Sequence, residues 1–163
     1  MSLTIRPAMP DDAAAMCAVL NPIIEAGGTT AHQRPFDADR MVQHYIQPDR
    51  RIACHVAVLD GQVAGFQFLG WPGGDDLPEG WGSIASFVSG DAAGRGVGRA
   101  LLEATRAAAR ASGVRSIDAT IRADNAPGLG YYSAMGFTDY AVLRDVPLRD
   151  GVRVDRIRKR LDP

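Results

Sequence analysis

Alternation and helical spacing of apolar positions divide the chain into short elements. Leu3-Thr4-Ile5-Arg6 alternates apolar and polar residues as a strand does. Pro10-Asp11-Asp12 then predicts a helix start, with proline in the first turn and carboxylates near the positive end of the helix dipole. Met16, Val19, Leu20, Ile23 and Ile24 recur at helical spacing and form its buried face. Pro22 is expected to bend or end this helix, and Gly27-Gly28-Thr29-Thr30 to form a loop. A second helix is predicted over residues 37–46.

Residues 51–59 are apolar at most positions, the pattern of a strand buried on both faces. Asp60-Gly61 predicts a hairpin turn that returns the chain through residues 62–71, and a long polar loop follows over 72–80. A strand over 82–89 runs into a glycine-rich turn and then a helix over 97–112. Val97, Ala100, Leu101, Ala104, Ala108 and Ala111 would form one face of that helix, and Arg99, Glu103, Arg106 and Arg110 the other. Gly113 is a predicted helix stop, with a strand over 115–121, a short helix over 126–135 and strands near 137–143 and 152–158. Strands alternate with helices, and no repeat or linker interrupts them. The pattern predicts one α/β domain over residues 1–163, a mixed sheet with helices on both faces.

Composition narrows the function classes. Lys and Arg number 18 and Asp and Glu 19, a formal charge of -1 that gives no overall attraction to nucleic acid or anionic lipid. No apolar run approaches the roughly 18–20 residues of a membrane helix, so neither a nucleic-acid nor a membrane partner is expected, and the location is expected to be cytoplasmic. Cys17 and Cys54 make no metal-ligand spacing with the three histidines. Both are expected to be reduced core residues, and no metal is expected.

The chemistry concentrates between Phe87 and Leu102. A strand enters a loop with alternate glycines at 94, 96 and 98, and the loop runs directly into a helix. Glycine lets the backbone turn and approach a ligand closely, and the helix start offers unpaired N–H groups and partial positive charge, which suit a phosphate. Arg95 and Arg99 add full charge. A dinucleotide fingerprint would need glycine at 99, where Arg99 stands, and a P-loop would need Gly-Lys-Ser/Thr. Both nucleotide readings fail on spacing.

The stretch resembles the central pattern of the GNAT acetyltransferase superfamily, V-x-x-x-x-R/Q-G-x-G-x-G followed by A-L-L, in register from Val88 to Leu102. Asn125, Tyr132 and Gly136-Phe137 are similar to that family's N-x(6)-Y-x(3)-G-F segment, and Ile5-Arg6-Pro7-Ala8 with Asp11-Asp12 to its opening. Asn21-Pro22-Ile23-Ile24, Thr29-Thr30-Ala31, Gly70-Trp71 and the spacing of Gly151, Asp155 and Leu161 resemble the phosphinothricin and methionine-sulfone N-acetyltransferases. The resemblance implies the acyl-CoA N-acyltransferase fold: a mixed, mostly antiparallel sheet of about seven strands with about four helices. It also implies a homodimer, acetyl-CoA as acyl donor, and transfer to the primary amine of a small molecule such as an amino acid.

Four departures stand out, one being Arg153 where an aromatic is expected in the last strand. Ala93 replaces the Arg or Gln that opens the phosphate loop, and Pro72 replaces an arginine after the tryptophan. No carboxylate lies between Gly80 and Gly90, where the branch carries a favoured base. Other amines (a protein N-terminus, a polyamine, an aminoglycoside) and a non-catalytic acyl-CoA-binding module therefore stay open.

Residue roles follow from the resemblance. Ser86, Phe87, Val88, Gly94, Arg95, Gly96, Val97, Gly98, Arg99 and Asn125 are expected to contact the coenzyme, with a backbone N–H near Phe87 and Val88 as oxyanion donor. Asn125 serves equally as a helix N-cap. Tyr132 is the candidate acid for the departing thiolate, and packing in the core is its alternative. His32 is the candidate base in the loop lining the acceptor pocket, although a loop histidine is often simply exposed. Glu25, Asp75, Asp76 and Glu79 are further base candidates, and Ser83 or Ser86 could hold a relaying water. His44 and His55 read as structural, and Trp71 and Trp81 as core anchors or walls of the site. Arg156, Arg158, Lys159 and Arg160 form a basic end that reads as a charged edge strand, or as a contact for coenzyme phosphates or RNA.

Overall fold

A computed structural model describes residues 1–74 and 76–163. Asp75, one of the carboxylates considered as a base, lies outside the described residues. The strands are β1 (Leu3–Pro7), β2 (Arg51–Leu59), β3 (Gln62–Gly70), β4 (Trp81–Val88), β5 (Ser116–Arg122), β6 (Thr138–Pro147) and β7 (Arg153–Leu161). The helices are α1 (Ala13–Ala26), α2 (Ala38–Met41), α3 (Val97–Ala111) and α4 (Ala126–Ala134). The strands form one seven-stranded sheet in the order β1-β2-β3-β4-β5-β7-β6, antiparallel except at β4–β5.

Asp60 and Gly61 both take positive φ, 50° and 83°, the backbone of the two-residue turn that matches strand twist in a hairpin. The opening segment is held by Arg6, whose guanidinium donates to both carboxylate oxygens of Asp12 at 2.8 and 2.9 Å, while the Met9 N–H donates to the same carboxylate.

Some sequence expectations need correction. α1 runs through Pro22 to Ala26, because proline removes one backbone donor while Leu20 and Ile24 on either side stay buried. Asn21 adds a clamp: its amide donates to Phe36 O and its oxygen accepts from Phe36 N, at 2.9 and 2.8 Å. The second helix is only four residues of α-helix, α2, continued by a π-helical turn over Val42–Ile46 that buries Tyr45 and Ile46. On α3 the buried face is Val97, Leu101, Leu102, Thr105 and Ala109, whereas Ala111 is exposed. The basic end is no edge strand: β7 lies between β5 and β6, and β6 is the edge. Lys159 is buried there against Asp139 and Ser133.

The core has two sides. Met16, Leu20, Met41, Tyr45 and Ile46 from the α1 and α2 region pack with Val56, Phe66 and Phe68. Across the sheet, α3 and α4 cover Ile84, Ile117, Ala119 and Ile121 with Leu102, Ala109 and Tyr132. Helices thus cover both faces.

Candidate functional site

β4 and β5 pair only at Trp81–Ser116, Gly82–Ile117 and Ser83–Asp118, and then part. On its other side β4 stays paired with β3 up to Gly65–Val88, and Ser89 N donates to Ala64 O. Antiparallel strands alternate the side to which each residue's N–H points, so the Ser86 and Val88 N–H groups face the gap. Gly65 allows this close pairing: a Cβ there would lie 2.9 Å from Phe87 O.

A cavity of about 220 Å³ opens at the gap, and Ser86, Phe87, Tyr132, His32 and Asn125 all line it. Alternation along the strands gives it two sides. Ser86 stands opposite Gln67 on the α3 and α4 side, with Tyr131 and Tyr132 of α4. Phe87, Thr120 and Arg122 point to the α1 and α2 side, with His32 and Tyr45.

On the first side a hydrogen-bonded chain leads to Tyr132. Thr105 Oγ1 donates to Gln67 Oε1 at 2.6 Å, and Gln67 Nε2 donates to Ser86 Oγ at 2.8 Å and to Tyr131 OH at 3.2 Å. Tyr131 in turn donates to Gly98 O at 2.7 Å. Ser86 Oγ and Tyr132 OH lie 2.8 Å apart. Both amide hydrogens of Gln67 are committed, so the Ser86 hydroxyl can donate to Tyr132, which leaves the phenol proton free for the cavity. Burial raises Tyr132 above the ordinary phenol range, with the Ser86 bond acting the other way, so the side chain is a neutral donor.

The glycine-rich loop is not part of the cavity wall but adjoins it through Tyr131. Gly94 and Gly96 take φ of 77° and 79°, which favour glycine, and Gly98 has a different reason. A Cβ on Gly98 would sit 2.6 Å from the Tyr131 ring. Among the described residues the N–H groups of Gly96, Val97, Gly98 and Arg99 have no backbone acceptor, as at any helix start, a setting that can take an anion. Asn125 is the N-cap of α4: its oxygen accepts from Gly128 N at 3.0 Å, and its amide donates to Thr29 O at 2.8 Å.

On the second side His32 Nε2 lies 2.6 Å from Tyr45 OH. Burial, with His44 and Arg40 nearby, lowers His32 to about 4, so it is neutral at pH 7. His44 is lowered by burial as well and packs edge-on against His32 and Tyr45. Glu25, Asp76, Glu79 and Ser83 do not line the cavity. Trp71 is partly exposed, and Trp81 packs against Tyr140 beneath Arg160, so neither tryptophan walls it. Arg122 is paired to Asp124 and also donates to Thr30 O at 3.1 Å. Arg156 lines the cavity too, and among the described residues no Asp or Glu does. Among the described residues no cluster of His, Cys, Asp and Glu is placed to hold a metal.

The sequence reading missed Gln67, Thr105, Tyr45 and the inward Arg156. A lone glutamine inside Gly65-Phe66-Gln67-Phe68-Leu69 was the available signal for the first, since polar residues in buried strands need partners.

Residues 20–137 match the Acetyltransferase (GNAT) family. The chain is 36% identical over 107 residues to a mycothiol acetyltransferase of Clavibacter michiganensis, covering 64% of this chain and about a third (32%) of that protein's length. It is 27% identical over 149 residues to a phosphinothricin N-acetyltransferase of Streptomyces viridochromogenes, covering 90% of this chain and 80% of the relative. In fold it is similar to a phosphinothricin acetyltransferase of Sinorhizobium meliloti solved in complex with acetyl-CoA. The TM-score is 0.84 at 19% identity, over 99% of this chain and 89% of that one.

Proposed function

Because the chain belongs to the GNAT family of acetyltransferases, we propose that it moves the acetyl group of acetyl-CoA by direct attack in a ternary complex. The acceptor is the primary amine of a small molecule, an amino acid or an analogue such as phosphinothricin or methionine sulfone. The residues present fit the coenzyme: free N–H groups at the start of α3, left-handed Gly94 and Gly96, and outward N–H groups where β4 leaves β5. Bound there, acetyl-CoA supplies an activated acyl carbon and a thiolate leaving group.

The chain's own residues then divide the work across the sheet. Gly94, Arg95, Gly96, Val97, Gly98 and Arg99 hold phosphate by backbone donors and side-chain charge. Ser86, Phe87 and Val88 run along the acyl arm, and the Val88 N–H meets the negative charge that grows on the carbonyl oxygen. Asn125 fixes the start of α4 and thereby the placement of Tyr132. Tyr132, with Ser86 and Gln67 behind it, donates its proton to the departing sulfur. A thiolate leaving into the same water-poor space is itself destabilised as an anion, which favours the transfer. On the opposite face the amine loses a proton as its nitrogen bonds to carbon. Neutral His32, backed by Tyr45, receives it.

One observation carries the choice of acceptor. Among the described residues the cavity is lined by two arginines and no carboxylate, which disfavours polyamines and aminoglycosides and suits an acceptor with an acidic group. The 27% identity to a phosphinothricin N-acetyltransferase over most of both chains supports the same class. We also read the enzyme as a homodimer, supported by the exposed Tyr140 and Val142 on edge strand β6. Its two unpaired, buried cysteines are in keeping with the reducing cytoplasm. Thiol release from acetyl-CoA against a panel of amino acids, polyamines and peptides tests the reading. Turnover confined to amino acids is the expected result. Confirmed coenzyme binding with turnover only on cationic amines would refute it.

A further inference from the structure

Four arginines share one face of the sheet on the acceptor side. β5 and β7 pair Arg122 with Arg156, Thr120 with Arg158 and Asp118 with Arg160, and residues directly opposite on antiparallel strands point the same way. Three of the four are occupied. Arg122 is tied to Asp124 and Thr30, Arg160 to Asp162 and Ser116, and Arg158 bonds Tyr140 beside Asp118.

Arg156 differs. It is half-buried and lines the cavity, and among the described residues it has no hydrogen-bond or ion-pair partner. Its Nε is shut off from solvent without an acceptor. Its charged neighbours of note, Arg122 and Arg158, are cations, which together with burial lower its pKa. Holding an unpaired guanidinium beside two others costs stability, and a surface charge would be free to turn outward. The cost is offset when an anion enters the cavity.

We infer that Arg156 is the specificity residue for the acceptor: its guanidinium takes the carboxylate, or an equally compact oxyanion, of the molecule whose amine is acetylated. The inference rests on the acetyl-transfer reading above and assigns its anion site to β7. The planar fork of arginine matches a carboxylate with two parallel hydrogen bonds. The site stands on the side of the sheet that holds His32 and Tyr45, across the strand gap from Tyr132. An acceptor held there by its carboxylate shares the cavity with Ser86 and Phe87 at the gap, and an amide or a decarboxylated amine would lack the anchor. A second cavity, of about 360 Å³, shares Thr30, His32 and Arg122 with the first, and Asp150 lines it as well.

The test pairs acids with their amides. Methionine sulfone and three common amino acids, each beside its carboxamide, are assayed for thiol release with wild type, Arg156→Met, Arg156→Lys and the surface control Arg153→Met, after thermal melts show each variant folded. Calorimetric titration of the same compounds into protein loaded with coenzyme A gives a readout that needs no turnover. In wild type, acids should exceed amides by about 10- to 100-fold in kcat/KM, the discrimination expected of hydrogen bonds to a charged group. Arg156→Met should bring that ratio toward one through a higher KM for the acids, with Arg156→Lys intermediate and Arg153→Met like wild type. If wild type uses amides as well as acids, or if Arg156→Met keeps the preference, the inference is overturned. If no compound is acetylated, the acetyl-transfer reading fails by itself and calorimetry decides. Acid binding that Arg156→Met weakens supports the anion site, and equal or absent binding of acid and amide overturns it.

Discussion

Replacing Gln67 by leucine probes the hydrogen-bonded chain behind Tyr132. Gln67 is fully buried and makes three side-chain hydrogen bonds, to Thr105, Ser86 and Tyr131. Leucine has nearly the same volume, so the change removes polarity with little cavity. Thr105 Oγ1 is fully buried and loses its acceptor, a desolvation cost of about 1–3 kcal/mol, while Ser86 and Tyr131 border the cavity and can turn to water at about 1 kcal/mol together. The sum, ~2–4 kcal/mol, lowers Tm by about 5–15 °C in a domain of this size. Thr105→Val made with Gln67→Leu removes both partners and should restore ~1 kcal/mol or more relative to the sum of the single changes. Urea and thermal unfolding of the four proteins close the cycle. Catalysis should fall further than stability accounts for, because the Ser86 hydroxyl is no longer held toward Tyr132. A Gln67→Leu protein as stable as wild type, or strict additivity with Thr105→Val, would show that the chain of bonds is not as described.

Tyr132→Phe should lower kcat by about 100- to 10,000-fold with coenzyme binding by calorimetry close to wild type, as for loss of a general acid. Gly98→Ala places a methyl 2.6 Å from the Tyr131 ring, so a loss of ~1–3 kcal/mol in unfolding free energy and a raised KM for acetyl-CoA are expected. His32, at about 4 in the folded protein and about 6.5 unfolded, binds fewer protons when folded between those values. Its contribution to stability therefore falls as pH drops from 6.5 toward 4, and His32→Gln should lose less stability than wild type between pH 7.5 and 4.5, read from urea midpoints. The same variant should slow turnover at pH 7.5 if His32 receives the amine's proton.

The sequence carried many of the local rules. The Asp60-Gly61 turn, the amphipathic α3 and the glycines at 94 and 96 depend on residues within one or two turns of each other, so their conformations are legible without a fold. The glycine loop and the Asn125 and Tyr132 segment pointed to the family by resemblance, and residues 20–137 match that family. α1 does not end at Pro22, because a single missing donor is outweighed by burial of Leu20 and Ile24, a cost and a gain that sit on different parts of the molecule. Thr105 and Gln67 are 38 positions apart and meet only when α3 lies on β3. Arg156 could be read as a surface charge until β6 was seen to take the edge and β7 to turn that side chain into the cavity. Local propensity and spacing thus determined most of the elements and the turn of the glycine loop. Which strand is the edge, which residues share a face of the sheet, and which cavity-lining arginine is left without a partner among the described residues are long-range packing choices. Only the closed sheet could decide them.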